Sequence, residues 1–504
     1  MVDVSQRYDR WKAPLDDGGT LIWPQPERLL DSVSDNHRRL STADSVLLQN
    51  TPLPEVRKAL RTFLGNHDDA QPIFATGHQA ELYHPGVWAK NALINAAAER
   101  TGGSAFHFAV DTDEPKHLIL RWPGGSMPLS DSDASHAAWS GLLPAPSPAH
   151  LDAVGDAIAE ASAHWRFKPM LPDFLAKLRP LSLEQPTLPA ALVNASHALD
   201  WDLGLRQHAM MVSPMLSAEP YLLFVHHVLA RAAEFAADYN AALEEFRIAA
   251  GIHSPGRPMP NLRVTPESVE VPFWLDDLAS AIRARANVTR RGDRLTLVAG
   301  DDAFVLDPAA DGWDAARKLS RWLRQHQLRL SPRALTLTAV LRLLVADQFV
   351  HGIGGGQYDQ VLDGLIARHL RIDPPAFAVT TATLFFPDAV GQPRVCIACL
   401  VREGHALRHR AVGFDKNTLV EAISAAPRRS IQRRELFSEL HDKLASATAS
   451  SVRTWESDFA AAEQQARHER ILFDRELFYA IQPRERLVGL INRYREAFGL
   501  STMG

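Results

Sequence analysis

Residues 71–117 read QPIFATGHQAELYHPGVWAKNALINAAAERTGGSAFHFAVDTDEPKH, and this stretch sets the fold class. QPIFA (71–75) is a short apolar strand that meets a Thr-Gly turn. A helix is expected from about Gly86 to Glu99. SAFHFAV then reads as a second strand, ending in acidic residues. Strand, loop, helix, strand opens an α/β unit, and such units build a parallel sheet.

Working outward, the rest of the chain supplies more of the same material. APSPAHLDAVGDAIAEASAHW begins at a Pro-rich turn and continues as a helix. AEPYLLFVHHVLARAAEFAADYNAALEEFRIAAG is a long helical run that stops at glycine, with an apolar stripe suited to packing on a sheet. Residues 257–315 alternate short strands such as VEVPFWL and LTLVAG, which suggests a β-rich inserted layer. Residues 416–504 are mainly helical and rich in Glu, Arg, Gln and Ala, interrupted by Pro427 and Pro483. The expected division is therefore an α/β core over 1–415 with an N-terminal extension and the insert, then a helical, coiled-coil-like tail over 416–504.

Composition narrows the function class. The chain has 504 residues, 54 Lys and Arg against 59 Asp and Glu, and a net charge of −5. A highly basic nucleic-acid binder, a disordered tail and a collagen are excluded. No nucleic-acid partner is expected. The one dense basic run, RRSIQRREL, reads as a solvated helix face. MVDVSQRYDRWKAP mixes charges and has no apolar h-region, so a cytoplasmic location is expected. ALTLTAVLRLLVADQFVHGIGGG is interrupted by Arg342 and Asp347 and reads as a buried amphipathic helix, with no membrane partner expected.

Three clusters carry candidate chemistry. The first is Thr76, Gly77, His78 and Gln79, then Tyr83, His84, Pro85 and Gly86, then Lys90 and Asn91. It lies between a strand and its helix, where open α/β sheets bind ligands. Gly77 lets backbone approach a ligand, and Gly86 sits near a helix start whose amides attract anions. His78, His84 and Lys90 are the expected groups for a phosphoryl charge. The second cluster is Asp111, Asp113, Glu114 and His117 at the next strand end, suited to an ammonium group, a ribose hydroxyl or Mg²⁺. The third is His351-Gly352-Ile353-Gly354-Gly355-Gly356-Gln357-Tyr358-Asp359, followed by Asp363. Four glycines in five positions suit an anion nest or close backbone approach, with Tyr358 and Asp359 reading a sugar or amine.

Cys396 and Cys399 lie in the apolar run VCIACLV, which reads as a strand holding buried free thiols. Their spacing to His405 and His409 is poor for a closed zinc site. Thiol redox chemistry would require the CxxC to open a helix.

Taken together, these motifs resemble the BshC family, the cysteine-adding ligases of bacillithiol biosynthesis. TGHQAELYHPGVWAKNALI is similar to the family's TGQQ…GP…K segment, with Thr76, Gly77, Gln79, Gly86 and Lys90 in matching places. AVDTDEPKH resembles its acidic strand end through Asp113 and His117. Residues 331–387 resemble its glycine-pair region through Gly354 and Gly355. Departures are His78 where the family has Gln, QYDQ after the glycines, and TTAT in place of the arginine-bearing stretch. The resemblance implies a Rossmann-like core related to nucleotidyltransferases, a C-terminal coiled coil, and a homodimer for which the C-terminal helices are the candidate contact. It also implies a ligase joining an amino acid to a small-molecule acceptor. ATP or ADP is the nucleotide to expect for phosphoryl chemistry in the first cluster. A non-catalytic metabolite binder and an assembly scaffold stand as alternatives. The enzyme reading requires 76–90, 111–117 and 351–359 to meet in one cleft.

Overall fold

The computed structural model describes residues 11–503 apart from 67, 69, 135, 293, 392–395 and 411–414. The opening MVDVSQRYDR, on which the expectation of no leader mainly rests, lies outside the described residues. The chain divides into two compact units, Met1–Leu384 with Arg475–Gly504, and Phe385–Asp474. The boundary read from sequence was at 415/416, whereas these units change over at 384/385 and 474/475. No helix among the described residues is long and apolar enough to cross a membrane.

The first unit is built on a six-stranded sheet. Its strands are β1 (Thr20–Trp23), β2 (Ile73–Gln79), β3 (Ser104–Val110), β4 (His208–Met211), β5 (Gln348–His351) and β6 (Phe377–Ala382). The order across the sheet is β1-β6-β5-β2-β3-β4. β1 runs antiparallel on β6, and every other pairing is parallel. Parallel strands need crossovers, and helix α1 (Pro85–Thr101) makes the one from β2 to β3. The winding goes outward from β2 to β3 and β4, then returns to β5 on the other flank of β2. The reversal therefore falls between β2 and β5.

β2 is longer than the sequence suggested. TGHQ is not a turn but the last four residues of the strand, since Gln79 is still paired with Val110. α1 begins at Pro85 and ends at Thr101, with Gly102 at φ 69° closing it in the left-handed region that glycine adopts without strain. It is buried nearly all round because it packs on β2, β3 and β6 while the helix Arg484–Ala497 covers it.

The inserted layer is an antiparallel sheet of five strands, Ser268–Asp277, Ile282–Arg291, Arg294–Ala299, Asp302–Leu306 and Leu328–Pro332. One apolar core joins it to the parallel sheet, from Ile73, Phe106 and Phe108 through Tyr221 and Phe224 to Val271, Phe273 and Leu330. The segment around Arg342 divides into the helix Ala334–Leu344 and strand β5, and α2 (Ile353–His369) follows.

The second unit is helical. α3 (Ile397–Arg408) and α4 (Lys416–Ala425) both pack on α5 (Ile431–Glu469), a helix of 39 residues. Ile423, Leu440 and Leu444 form a small core there. VCIACLV is not a strand: Cys396 caps α3, and Cys396 and Cys399 are exposed and joined by a disulfide. A short apolar run does not distinguish strand from helix by periodicity. The residues after it, REGHALR, continue as helix.

Candidate active site at the carboxyl edge of the parallel sheet

Register brings the three expected segments to one edge. Val350 pairs with Thr76, which sets His351 and Gly352 level with Gly77 and His78. Gln79 pairs with Val110, which sets Asp111 beside the end of β2. Gln79 Nε2 donates to Asp113 Oδ2 at 3.0 Å. The backbone N–H of Leu82 donates to the His117 carbonyl at 3.2 Å. The exposed His117 is thus held at φ 47°, in the left-handed region.

Several expected ligand groups instead hold the framework. Thr76 is fully buried and its hydroxyl donates to the Val350 carbonyl at 2.8 Å, stitching β2 to β5. Asn91 is buried, donating to Asp200 at 3.0 Å and accepting from His107 Nδ1 at 2.7 Å. Since Asn91 spends its amide N–H on Asp200, its oxygen must accept, so His107 carries its proton on Nδ1 and takes the Tyr83 hydroxyl on Nε2 at 3.1 Å. Burial pushes His107 down to about 3, consistent with that neutral ring. Asp200 gathers donors from Trp88, Asn91, Gln207 and Tyr479. Burial still raises it to about 6.

Asp111 accepts from the Ser213 amide at 2.9 Å and the Ser213 hydroxyl at 2.5 Å, so both its oxygens are committed to the turn after β4. Asp359 is 1% exposed. Through Oδ2 it bonds Arg342 at 2.5 Å and His351 at 2.9 Å, while Oδ1 is buried without a hydrogen-bond partner, so burial and not full occupancy keeps it from a sugar or amine. Burial opposes its charge, but Arg342 and His351 hold its carboxyl below the usual range. Gly354, Gly355 and Gly356 lie in the first turn of α2. Gly354 and Gly355 are exposed there, with Gln357 half-buried and Tyr358 exposed. Gly356 is packed: a Cβ on it would lie 2.5 Å from Val379 Cγ2.

The α1 end is also more occupied than a bare helix start. His84 is its N-cap, and the Gly86 N–H donates to His84 Nδ1 at 3.1 Å. The glycine is required by crowding. A Cβ on Gly86 would lie 2.5 Å from Arg475 Nη2 and 2.6 Å from Thr381 Oγ1. Arg475 donates to Thr381 Oγ1 at 2.8 Å and to the Ala382 carbonyl. A half-buried guanidinium thus stands at the positive end of a helix.

Beneath Gly77 sits an acid–base group. Lys90 is 2% exposed, and its Nζ donates to the Gly77 carbonyl at 2.8 Å instead of reaching over the helix start. Burial pushes Lys90 down to about 7, with Glu81 acting against the shift. Burial raises Glu81 to about 7, with Lys90 opposing. His78 Nδ1 lies 3.1 Å from Glu81 Oε1, and burial with Lys90 nearby pushes His78 well below its usual value.

Sequence reading missed Glu81, His107, Thr381 and Arg475. Glu81, an acid between Ala80 and Leu82 at a strand end, carried a local signal. Arg475 carried none, because its contact with Gly86 spans most of the chain. A cleft of about 390 Å³ lies at the opposite edge, near Ser104, His208 and Arg495. It faces strand amino ends, and Arg495 there is already paired with Glu99.

No family model matches the chain, and no curated protein matches it. Among solved structures, one from Campylobacter jejuni, provisionally named an arginyl tRNA synthetase, aligns over 90% of this chain and 99% of its own. Identity is 8% and the TM-score is 0.21, a likeness that carries no argument about fold or activity. The resemblance to the BshC family therefore rests on the motifs alone.

Proposed function

We propose that the chain is a ligase or nucleotidyltransferase-like enzyme on a Rossmann-like core. It would join an amine or amino acid, with cysteine the first candidate, to a small carboxylate or sugar-derived acceptor, and bind ATP or ADP between the ends of β2 and β5. The observation that carries this reading is Arg475 at the N-terminal turn of α1. A cation at a positive helix end is repelled by roughly 0.3–1 kcal/mol, and an anion between them reverses the sign. The winding reversal between β2 and β5 is where open α/β sheets take nucleotides. The exposed glycine turn of α2 offers further amides at the same edge.

The chemistry follows from Glu81, His78 and Lys90. An amine arriving as an ammonium ion must lose a proton before it attacks an activated carboxyl group. Glu81, poised near 7 against His78, is matched to accept it. Asp113, oriented by Gln79, would hold the ammonium before transfer. Lys90 would act through the Gly77 carbonyl and Glu81 as a positioning residue.

Calorimetric titration of ATP and ADP into the full chain and into R475Q tests the reading. R475Q should stay folded and bind at least about tenfold more weakly, the loss of one charge-assisted contact. Undiminished affinity in folded R475Q, or no binding by the wild type, overturns it.

A further inference from the structure

The Phe385–Asp474 unit carries the only two cysteines of the chain, and their setting is chemical more than mechanical. Cys396 and Cys399 open α3, both exposed and joined by a disulfide. Cys396 Sγ accepts the Cys399 amide at 3.2 Å, so a sulfur anion at Cys396 would be held by the helix start. One turn on, Arg402 Nη2 lies 3.5 Å from Cys399 Sγ. The bridge spans a separation of three residues. It joins no two elements and restrains little of the unfolded chain, which is a poor use for a structural staple.

The helix that presents the pair is fixed in place. Trp455 of α5 donates its indole N–H to the Leu400 carbonyl at 2.9 Å. A Cβ on Gly404 would lie 2.3 Å from that indole, so only glycine lets the two helices approach so closely. Arg408 stacks over the same ring at 4.7 Å. The cysteine turn is thus carried by two closely packed helices, with both cysteines exposed.

We propose that Cys396 and Cys399 are a redox-active pair exchanging electrons with low-molecular-weight thiols. A thiolate from the small thiol attacks Cys396 Sγ. The bridge breaks, a mixed disulfide forms at Cys396, and Cys399 leaves as a thiolate beside Arg402. A second small thiolate attacks the sulfur of the first, releasing the small disulfide and the Cys396 thiolate. Two electrons pass from the two small thiols to the bridge, and their two protons end on Cys396 and Cys399. The reverse direction starts with the Cys396 thiolate opening an external disulfide and Cys399 resolving the adduct.

The test uses the reduced full chain, glutathione disulfide and intact mass at neutral pH. The wild type should reclose its bridge and retain no adduct. C399S should keep one glutathionyl group on Cys396, formed at least about tenfold faster than on C396S or on the same variant in denaturant. C399A gives the same readout if C399S folds poorly. Equal rates for the two single variants, rates no faster than in denaturant, or a stable adduct on the wild type would overturn the proposal.

Discussion

Lys90 shows what burial does to one side chain beneath the carboxyl edge of the sheet. Its ammonium lies under β2 against the Gly77 carbonyl, in a place where burial lowers its affinity for a proton to about 7. An unfolded lysine keeps that proton to about 10.4. Between these values the unfolded chain binds more protons, so this residue makes stability rise with pH across that window. The stability of the wild type relative to K90M should therefore climb by ~1.4 kcal/mol per pH unit from pH 7 to about 10. Denaturant titrations of both proteins at pH 7, 8 and 9 check it, and a pH-independent difference would show that Lys90 titrates normally. Glu81 has the opposite sign. Its raised value favours the folded state at low pH, and that advantage is lost as pH rises through about 7.

At the scale of one element, α2 separates two uses of glycine. Gly356 faces the sheet, where Val379 Cγ2 and Trp11 leave no room for a Cβ. Val379 is β-branched and buried in β6, so it yields poorly. G356A should destabilise by about 1–3 kcal/mol, the range for forcing a methyl into a packed core. Gly354 faces outward with open space around it. G354A should stabilise by up to about 1 kcal/mol, because alanine gives up less freedom in a helix. If a nucleotide lies against this turn, the same change weakens ATP binding. Stability and affinity then move in opposite directions for G354A, which thermal melts and titration read separately. A loss of stability on G354A would contradict the helical first turn.

For the whole molecule, acid stability follows from buried histidines set against buried acids. Burial pushes His107 and His227 down to about 3 and His226 to about 4. It raises Glu81 to about 7 and Asp200 to about 6. Near pH 5.5 the three histidines take up protons only on unfolding, while the two acids release protons they hold in the fold. The unfolded state keeps about one proton more, so stability should fall by ~1.4 kcal/mol per pH unit as pH drops from about 6 to 5. His78 and His197 shift the same way and steepen the fall. Denaturant midpoints at pH 6.5, 6 and 5 test this, and flat or rising stability would refute it. Much of this architecture was legible in the chain. The strand, helix and strand of 71–117 are written in local apolar pattern and glycine placement, and these act over a few residues. So is the placing of TGHQ beside AVDTDE, because a parallel sheet brings successive strand ends to one edge, whereas HGIGGG reads as following a helix and only the pairing of Val350 with Thr76 brings it there. What the sequence could not tell is which polar groups stay open. Thr76, Asn91, Asp111 and Asp359 look like ligand groups in one dimension. Val350, Asp200, Ser213 and Arg342 close on them in three. CxxC reads as a strand because an apolar run of that length fits either period, whereas it opens α3, which packs on Trp455. Local propensity thus determined the strand–helix–strand unit of 71–117 and its parallel sheet. Tertiary structure alone decided which side chains were spent on burial and brought Arg475 to Gly86, because desolvation and long-range contact depend on neighbours that sequence spacing does not encode.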